Sequence, residues 1–207
     1  MNFYNWFKIF SRALGTTLLH PQFFSKSFIE RNIKKKAKKI TGLAVDLGCG
    51  NSPYKRYFSH TDYIGLDHPK TLTGESNINI SLNVFGDLFS LPFRTCSVDC
   101  VILTQVLEHI AEPWKIFPEI ERIIKPGGNF LLSTPFFYPL HDEPYDFFRF
   151  SPHGLRQLLQ KSNFDIIEMI PQGGFITLFA ELLNLFCLHK LQNLLGRDSD
   201  VRLGYCM

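Results

Sequence analysis

Apolar residues at helical spacing open the chain. Phe3, Trp6, Phe7, Phe10 and Leu14 fall on one face, with Asn2, Asn5, Lys8, Ser11 and Arg12 off it, which predicts a helix over 3–14 ended by His20-Pro21. A second helical stretch over 24–40 is dominated by Arg31, Lys34, Lys35, Lys36, Lys38 and Lys39 and closes at Thr41-Gly42. From residue 43 the texture changes. Short apolar runs alternate with helical patterns, as in βα units built around a parallel sheet. The pattern predicts strands over 43–47, 62–66, 80–84, 98–103, 128–134 and 164–170. It predicts helices over 106–110, 113–124, 152–161 and 175–195. Ser151 is placed to cap the third of these, with Pro152 at its first position, where a missing N–H costs nothing. Pro118 falls inside the second and should restart or kink it. The class these elements imply is α/β, a doubly wound and mostly parallel sheet behind an N-terminal helical arm.

Composition fits that picture and narrows it. The 207 residues are 45% apolar and 20% charged, enough for a packed core, which excludes a disordered chain. Charge is divided unevenly. Residues 1–41 hold nine Lys/Arg against the single acid Glu30, a balance of +8, whereas residues 42–207 hold thirteen Lys/Arg against eighteen acids, a balance of −5. Two domains are therefore expected: a basic amphipathic arm over 1–41 and a mildly acidic body over 42–207. Five cysteines with no C-x-x-C pair suggest neither a disulfide framework nor a zinc site, so a reducing compartment is expected. The most apolar stretch, 169–188, is broken by Pro171, Gly173, Gly174 and Glu181, too short of the roughly 18 apolar residues of a membrane span. Lys8 and Arg12 lie inside the first apolar pattern rather than before it, unlike a secretory signal, and a cytoplasmic product is expected.

Candidate chemistry gathers where the first strand ends. Ala44-Val45-Asp46-Leu47-Gly48-Cys49-Gly50-Asn51-Ser52-Pro53 runs from an apolar strand into a turn whose glycines let backbone approach a ligand. Asp67 follows 21 positions after Asp46, at the end of the next strand, where a carboxylate can accept both hydroxyls of a ribose. Asp87 ends the third strand region. Three carboxylates on one rim suit a nucleoside that carries positive charge and no phosphate. A dinucleotide would need a third glycine where Pro53 stands, and Asp46 would repel its pyrophosphate.

Five segments together resemble the class I S-adenosylmethionine-dependent methyltransferases, in the small-molecule branch known as type 11. They are Val45-Asp46-Leu47-Gly48-Cys49-Gly50, Ile64-Gly65-Leu66-Asp67, Gly86-Asp87-Leu88-Phe89-Ser90-Leu91-Pro92-Phe93, Ser97-Val98-Asp99-Cys100-Val101-Ile102 with Val106-Leu107-Glu108-His109-Ile110, and Arg122-Ile123-Ile124-Lys125-Pro126-Gly127-Gly128. The resemblance implies S-adenosyl-L-methionine as cofactor and a Rossmann-like sheet that finishes with an antiparallel strand. It implies that Gly48 and Gly50 pass under the methionine and ribose, that Asp46 organises the turn and faces the methionine ammonium, and that Asp67 holds the ribose. By the same resemblance Asp87 and Leu88 bracket the adenine, and Gln105 touches the methionine end. The replacement of a third glycine by Asn51-Ser52-Pro53 predicts a stiffer, differently shaped loop. The antiparallel strand would be short, since only Val201, Leu203 and Tyr205 alternate before Met207. Glu108-His109 and Lys125 are read as structural, the lysine as a helix C-terminal cation.

The segment over 136–151 follows the fifth predicted strand and concentrates His141, Asp142, Glu143, Asp146, Tyr138, Tyr145 and Arg149 among phenylalanines. It reads as a substrate lid, with Tyr145 and Arg149 binding the acceptor and His141 as the base that a hydroxyl acceptor requires near neutral pH. The alternative is a surface loop anchored by Phe147, Phe148 and Phe150. No metal is expected. The function expected is methyl transfer to a small or lipid-linked acceptor, at oxygen rather than nitrogen. The rival is a non-catalytic cofactor-binding or scaffold subunit of the same fold. For residues 1–40 two readings stand: peripheral association with a membrane surface, or packing on the body with a solvated lysine face. No RNA-binding motif accompanies the lysines, so nucleic acid is not expected. The broad apolar face of 175–195 calls for cover by the arm, lipid or a partner chain, a homo-oligomer included.

Overall fold

A computed structural model describes residues 22–68 and 84–194 of the chain. The predicted helix over 3–14, positions 80–83 of the third strand and the strand over 201–206 lie outside the described residues. Helix α1 (Phe23–Ala37) precedes strands β1 (Leu43–Leu47), β2 (Asp62–Asp67), β3 (Val84–Phe85), β4 (Val98–Thr104) and β5 (Ile124–Ser133). Helix α2 (Phe117–Ile123) leads into β5, and helices α3 (Pro152–Gln160) and α4 (Phe175–Leu194) follow it. The five strands are parallel and ordered β3-β2-β1-β4-β5. The order turns back at β1, so a crevice opens between the carboxyl ends of β1 and β4, where doubly wound sheets bind ligands.

Alternation along the strands sorts the two faces. Val45 and Leu47 of β1, Leu66 of β2, and Val101 and Leu103 of β4 join Ile116, Phe117, Ile120 and Ile123 in one buried cluster. Ala44, Asp46, Cys100 and Ile102, which point the other way, are also buried, so both faces of the sheet are covered. Pro118 marks a restart, as expected: a 3-10 turn over Pro113–Lys115 gives way to α2 with the proline in its first turn. Ser151 Oγ accepts the Gly154 N–H at 3.1 Å and caps α3.

Four expectations need correction. The segment over 164–170 is not a strand. Phe164 and Ile166 pack on the core, but Ile167 is exposed and Glu168 pairs with Lys36. A ladder needs a hydrogen-bonding neighbour, and β4 is the only neighbour of β5 among the described residues. The helix over 106–110 is a single 3-10 turn, Leu107–His109. The fifth strand begins at Ile124, because Pro126-Gly127-Gly128 form a bulge between the Val98↔Ile124 and Cys100↔Asn129 pairings. Lys125 is not a helix-end cation. Its Nζ donates to both carboxylate oxygens of Asp99 at 2.8 Å and helps hold that carboxyl below the usual range, together with the Leu43 N–H.

Contacts divide the chain into two compact units. One, Asn32–Phe136 with Phe147–Met169, contains the sheet; the described part of the other comprises residues 22–31, 137–146 and 170–194. Helix α1 runs from the second into the first. Ile29, Ile33, Ala37 and Ile40 are buried at helical spacing, while Arg31, Lys34, Lys35, Lys38 and Lys39 are exposed. His60 Nε2 lies 3.1 Å from the carbonyl oxygens of both Ala37 and Ile40 and supplies a donor to the end of the helix.

Candidate functional site

The turn after β1 hangs on β2. Gly48 and Cys49 donate backbone N–H bonds to the Leu66 carbonyl at 2.8 and 3.1 Å. Gly48 has φ +68°, and a Cβ there would lie 2.5 Å from Val106 Cγ2, so both conformation and space require glycine. Gly65 of β2 fails the same substitution differently. A Cβ would meet Cys49 Sγ at 2.8 Å and Ser52 Oγ at 2.9 Å, so this strand glycine lets the turn lie flat on β2. Beyond the turn, Ser52 takes φ +49° and only a 3-10 turn, Lys55–Tyr57, separates β1 from β2. Asn51-Ser52-Pro53 thus leads into a tight loop instead of a crossover helix, in line with the different shape expected.

The turn is organised by Asp67 and not, as expected, by Asp46. Asp67 organises the turn: its Oδ2 accepts the Gly50 N–H at 2.8 Å and its Oδ1 accepts the His68 N–H at 2.8 Å. Asp46 is 1% exposed, and its Oδ2 accepts a short hydrogen bond from Tyr63 Oη. Its Oδ1 is buried without a hydrogen-bond partner. Burial pushes the Asp46 carboxyl up to about 7; the Tyr63 bond opposes this and the Asp67 charge adds to it. Burial likewise lifts the Cys49 thiol to about 11 and the Cys100 thiol to about 12, so neither is a thiolate nucleophile near neutral pH.

Asp87 stands exposed at the rim, where its Oδ1 accepts the Phe89 N–H at 3.0 Å, and half-buried Leu88 packs on the core. A clamp that sequence reasoning missed fixes this loop. Arg122 donates to the carbonyls of Phe93 and Leu91 at 2.8 and 2.9 Å, while Glu119 takes the Leu91 N–H at 2.8 Å and pairs with Arg122. The only signal was the spacing of Glu119 and Arg122, one turn apart. Across the crevice, Gln105 has φ +54° and donates Nε2 to Ser133 Oγ at 3.2 Å, which ties the end of β4 to that of β5. The Leu107–His109 turn receives the chain again: the Glu108 carbonyl accepts the Phe147 and Phe148 N–H groups at 2.9 and 3.2 Å.

These residues fit a cationic nucleoside. A buried carboxylate oxygen lacking a partner is a seat for an ammonium donor. No atom lies within 4 Å of the space a Gly50 Cβ would fill, so that turn faces open volume. Asp67 is fixed at the end of β2 by its bonds from the Gly50 and His68 N–H groups.

The remaining predicted residues lie apart in the chain's organisation. His141 and Tyr145 belong to the second unit and Arg149 to the first. His141 Nδ1 lies 3.1 Å from both the Pro139 carbonyl and the Asp146 carboxylate, and Asp146 also accepts the His141 backbone N–H at 2.9 Å. Asp146 is the second residue that sequence reasoning missed; it looked like one acid in an acidic run. Tyr145 is exposed, and Arg149 donates to the neighbouring Phe148 carbonyl at 2.8 Å. Phe148 contacts Trp114 and Phe150 edge-on or tilted, whereas the Phe147 ring is exposed.

Residues 45–132 match a family model described as a methyltransferase domain. Over 91 residues the chain is 36% identical to a probable S-adenosylmethionine-dependent methyltransferase of Mycolicibacterium smegmatis, covering 41% of this chain and 35% of that one. Residues 45–132 are thus similar to S-adenosylmethionine-dependent methyltransferase domains. A second relative, the ubiquinone/menaquinone biosynthesis C-methyltransferase UbiE of Haemophilus ducreyi, is 26% identical over 132 residues, covering 56% of this chain and 49% of that one. A solved chain from the complex of the Haloferax volcanii Trm112 methyltransferase activator with a methyltransferase shares the fold, with TM-score 0.55, 24% identity, and coverage of 68% and 69%. The matched residues run from β1 to β5 and so include the crevice. The chain spans about a third of the length of the first curated relatives it matches.

Proposed function

We propose that the chain binds S-adenosyl-L-methionine in the crevice between β1 and β4 and transfers its methyl group to a hydroxyl of a small or lipid-linked acceptor. The observation that carries the cofactor reading is the buried Asp46 carboxylate, whose Oδ1 has no partner, beside a turn built on Gly48 and Gly50. Asp46 would seat the methionine ammonium, Asp67 the ribose, Asp87 and Leu88 the adenine, and Gln105 the methionine end. The bound cofactor supplies an electrophilic methyl group on a sulfonium. The chain's own contribution is to orient and desolvate the reactants, which recovers much of the entropy cost of a bimolecular step.

Oxygen is favoured over nitrogen by the His141–Asp146 pair. With Nδ1–H held by Asp146 or the Pro139 carbonyl, Nε2 becomes the basic nitrogen and accepts the proton of an acceptor hydroxyl. Tyr145 and Arg149 are proposed to bind the acceptor. A second reading, a non-catalytic subunit that serves a partner, is compatible with the fold it shares with a chain from an activator complex. The two readings separate on one assay. Incubation with S-adenosyl-L-methionine and hydroxylated acceptors, phenolic and polyprenyl-linked, should yield S-adenosylhomocysteine that His141→Ala abolishes. Cofactor binding with no turnover on any of them would favour the subunit.

A further inference from the structure

Tyr63 stands at the crevice with no part in the reading given so far. In the register of β1 on β2, Asp46 lies opposite Gly65 and Ala44 opposite Tyr63, so Tyr63 and Asp46 are diagonal neighbours on one face of the sheet. Glycine at 65 puts no side chain directly opposite Asp46. Tyr63 reaches it from two positions earlier and donates its Oη hydrogen to Asp46 Oδ2. The ring rests on Phe58, with 5.6 Å between centroids, and the Ser52 side chain hydrogen-bonds the phenol from the loop after the turn. A phenol has one proton to give, and here it goes to Asp46. With Oδ2 engaged, the oxygen left buried and without a partner is Oδ1. All of these residues lie in the unit that contains the sheet.

We infer that Tyr63 is a positioning residue for the cofactor: its hydroxyl favours the ionised form of Asp46 and leaves Oδ1 for the methionine ammonium, which makes cofactor affinity depend on pH. This rests on the reading of the crevice proposed above. The titratable groups that act on Asp46 or feel its charge are Tyr63 and Asp67 of β2, Cys49 of the turn and Cys100 of β4. None of them is a cation. Burial pushes both thiols and the phenol up, so all three stay neutral near pH 7. Among these groups the Tyr63 hydroxyl alone opposes burial and the Asp67 charge, and the Asp46 carboxyl comes to about 7. A hydrogen bond donated to a carboxylate favours its charged form, so without the hydroxyl Asp46 would hold its proton at neutral pH. A protonated carboxyl offers an ammonium no charge. A bound ammonium favours ionisation as the hydroxyl does, so the two effects support each other.

The test is calorimetric titration with S-adenosylhomocysteine from about pH 5.5 to 8, comparing the wild type with Tyr63→Phe, which keeps the ring and removes the hydroxyl. Wild-type affinity should fall about tenfold per pH unit below the Asp46 midpoint and level off above it. In Tyr63→Phe the midpoint should rise by roughly 1–2 pH units, with a loss of roughly tenfold or more in affinity at pH 7. The ligand-free proteins give a second measurement. The carbon-13 carboxyl resonance of Asp46, assigned by its absence in Asp46→Asn, should titrate at about 7 in the wild type and higher in Tyr63→Phe. PH profiles of the same shape in both proteins, at whatever affinity, or an unshifted carboxyl titration would overturn the inference and leave the cofactor reading standing. Absence of binding to the wild type would overturn the cofactor reading and the inference with it.

Discussion

Two shielded aspartate side chains show how differently the crevice and the loop are made. Asp46 sits inside the sheet and is reached by Tyr63 from the next strand, 17 positions away. The Asp146 side chain is 1% exposed within a half-buried residue, and it is bound by His141 five positions back in its own loop. The first carboxylate depends on strand register, and removing its partner would disturb the sheet. The second depends on a local turn that can form and change by itself. The difference teaches which part of the site is preorganised by the fold and which is assembled by the loop. The proposed cofactor end is held by the sheet; the proposed acceptor end is held by its own loop.

The sharpest way to break this comparison is at the histidine. His141→Ala should lower turnover roughly 10²–10⁴-fold with cofactor affinity unchanged, because His141 is proposed to act on the acceptor and not on the cofactor. Equal loss of cofactor affinity would show that the two ends are not separable. Next comes Asp46. With its folded carboxyl near 7 and the free value at 3.8, the folded chain binds more protons than the unfolded chain between those pH values. The unfolding free energy should therefore fall as pH rises from 4 to 8, by at most about 4 kcal/mol from this group. Asp46→Asn should flatten that slope in chemical denaturation series. A slope identical to wild type would mean that Asp46 is ionised throughout.

How far the sequence disclosed these two regions follows from the same contrast. The crevice was legible because strand ends lie at fixed registers: Asp46, Gly48, Gly50, Asp67 and Gln105 all stand at or beside the carboxyl ends of β1, β2 and β4. What each carboxylate does was not legible. That Asp67, rather than Asp46, takes the Gly50 N–H depends on where β2 ends relative to the turn. Periodicity also misjudged 164–170, whose apolar residues suit a strand but whose pairing depends on a neighbour elsewhere in the chain.

The smallest effect tests an element outside both regions. Ser151→Ala removes the acceptor of the Gly154 N–H and should cost about 1 kcal/mol in a denaturation midpoint, with turnover intact. A larger loss, or a change in turnover, would tie α3 to the site.

The central claim is that the crevice at the ends of β1 and β4 holds the cofactor. Calorimetric titration of the wild type and Asp67→Ala with S-adenosylhomocysteine, the product of methyl transfer, tests it most directly. The account predicts saturable binding to the wild type, weakened in the variant by about 1.5–3 kcal/mol as hydrogen bonds to a charged group are lost. Absence of binding to the wild type, or equal affinity in a folded variant, would contradict it.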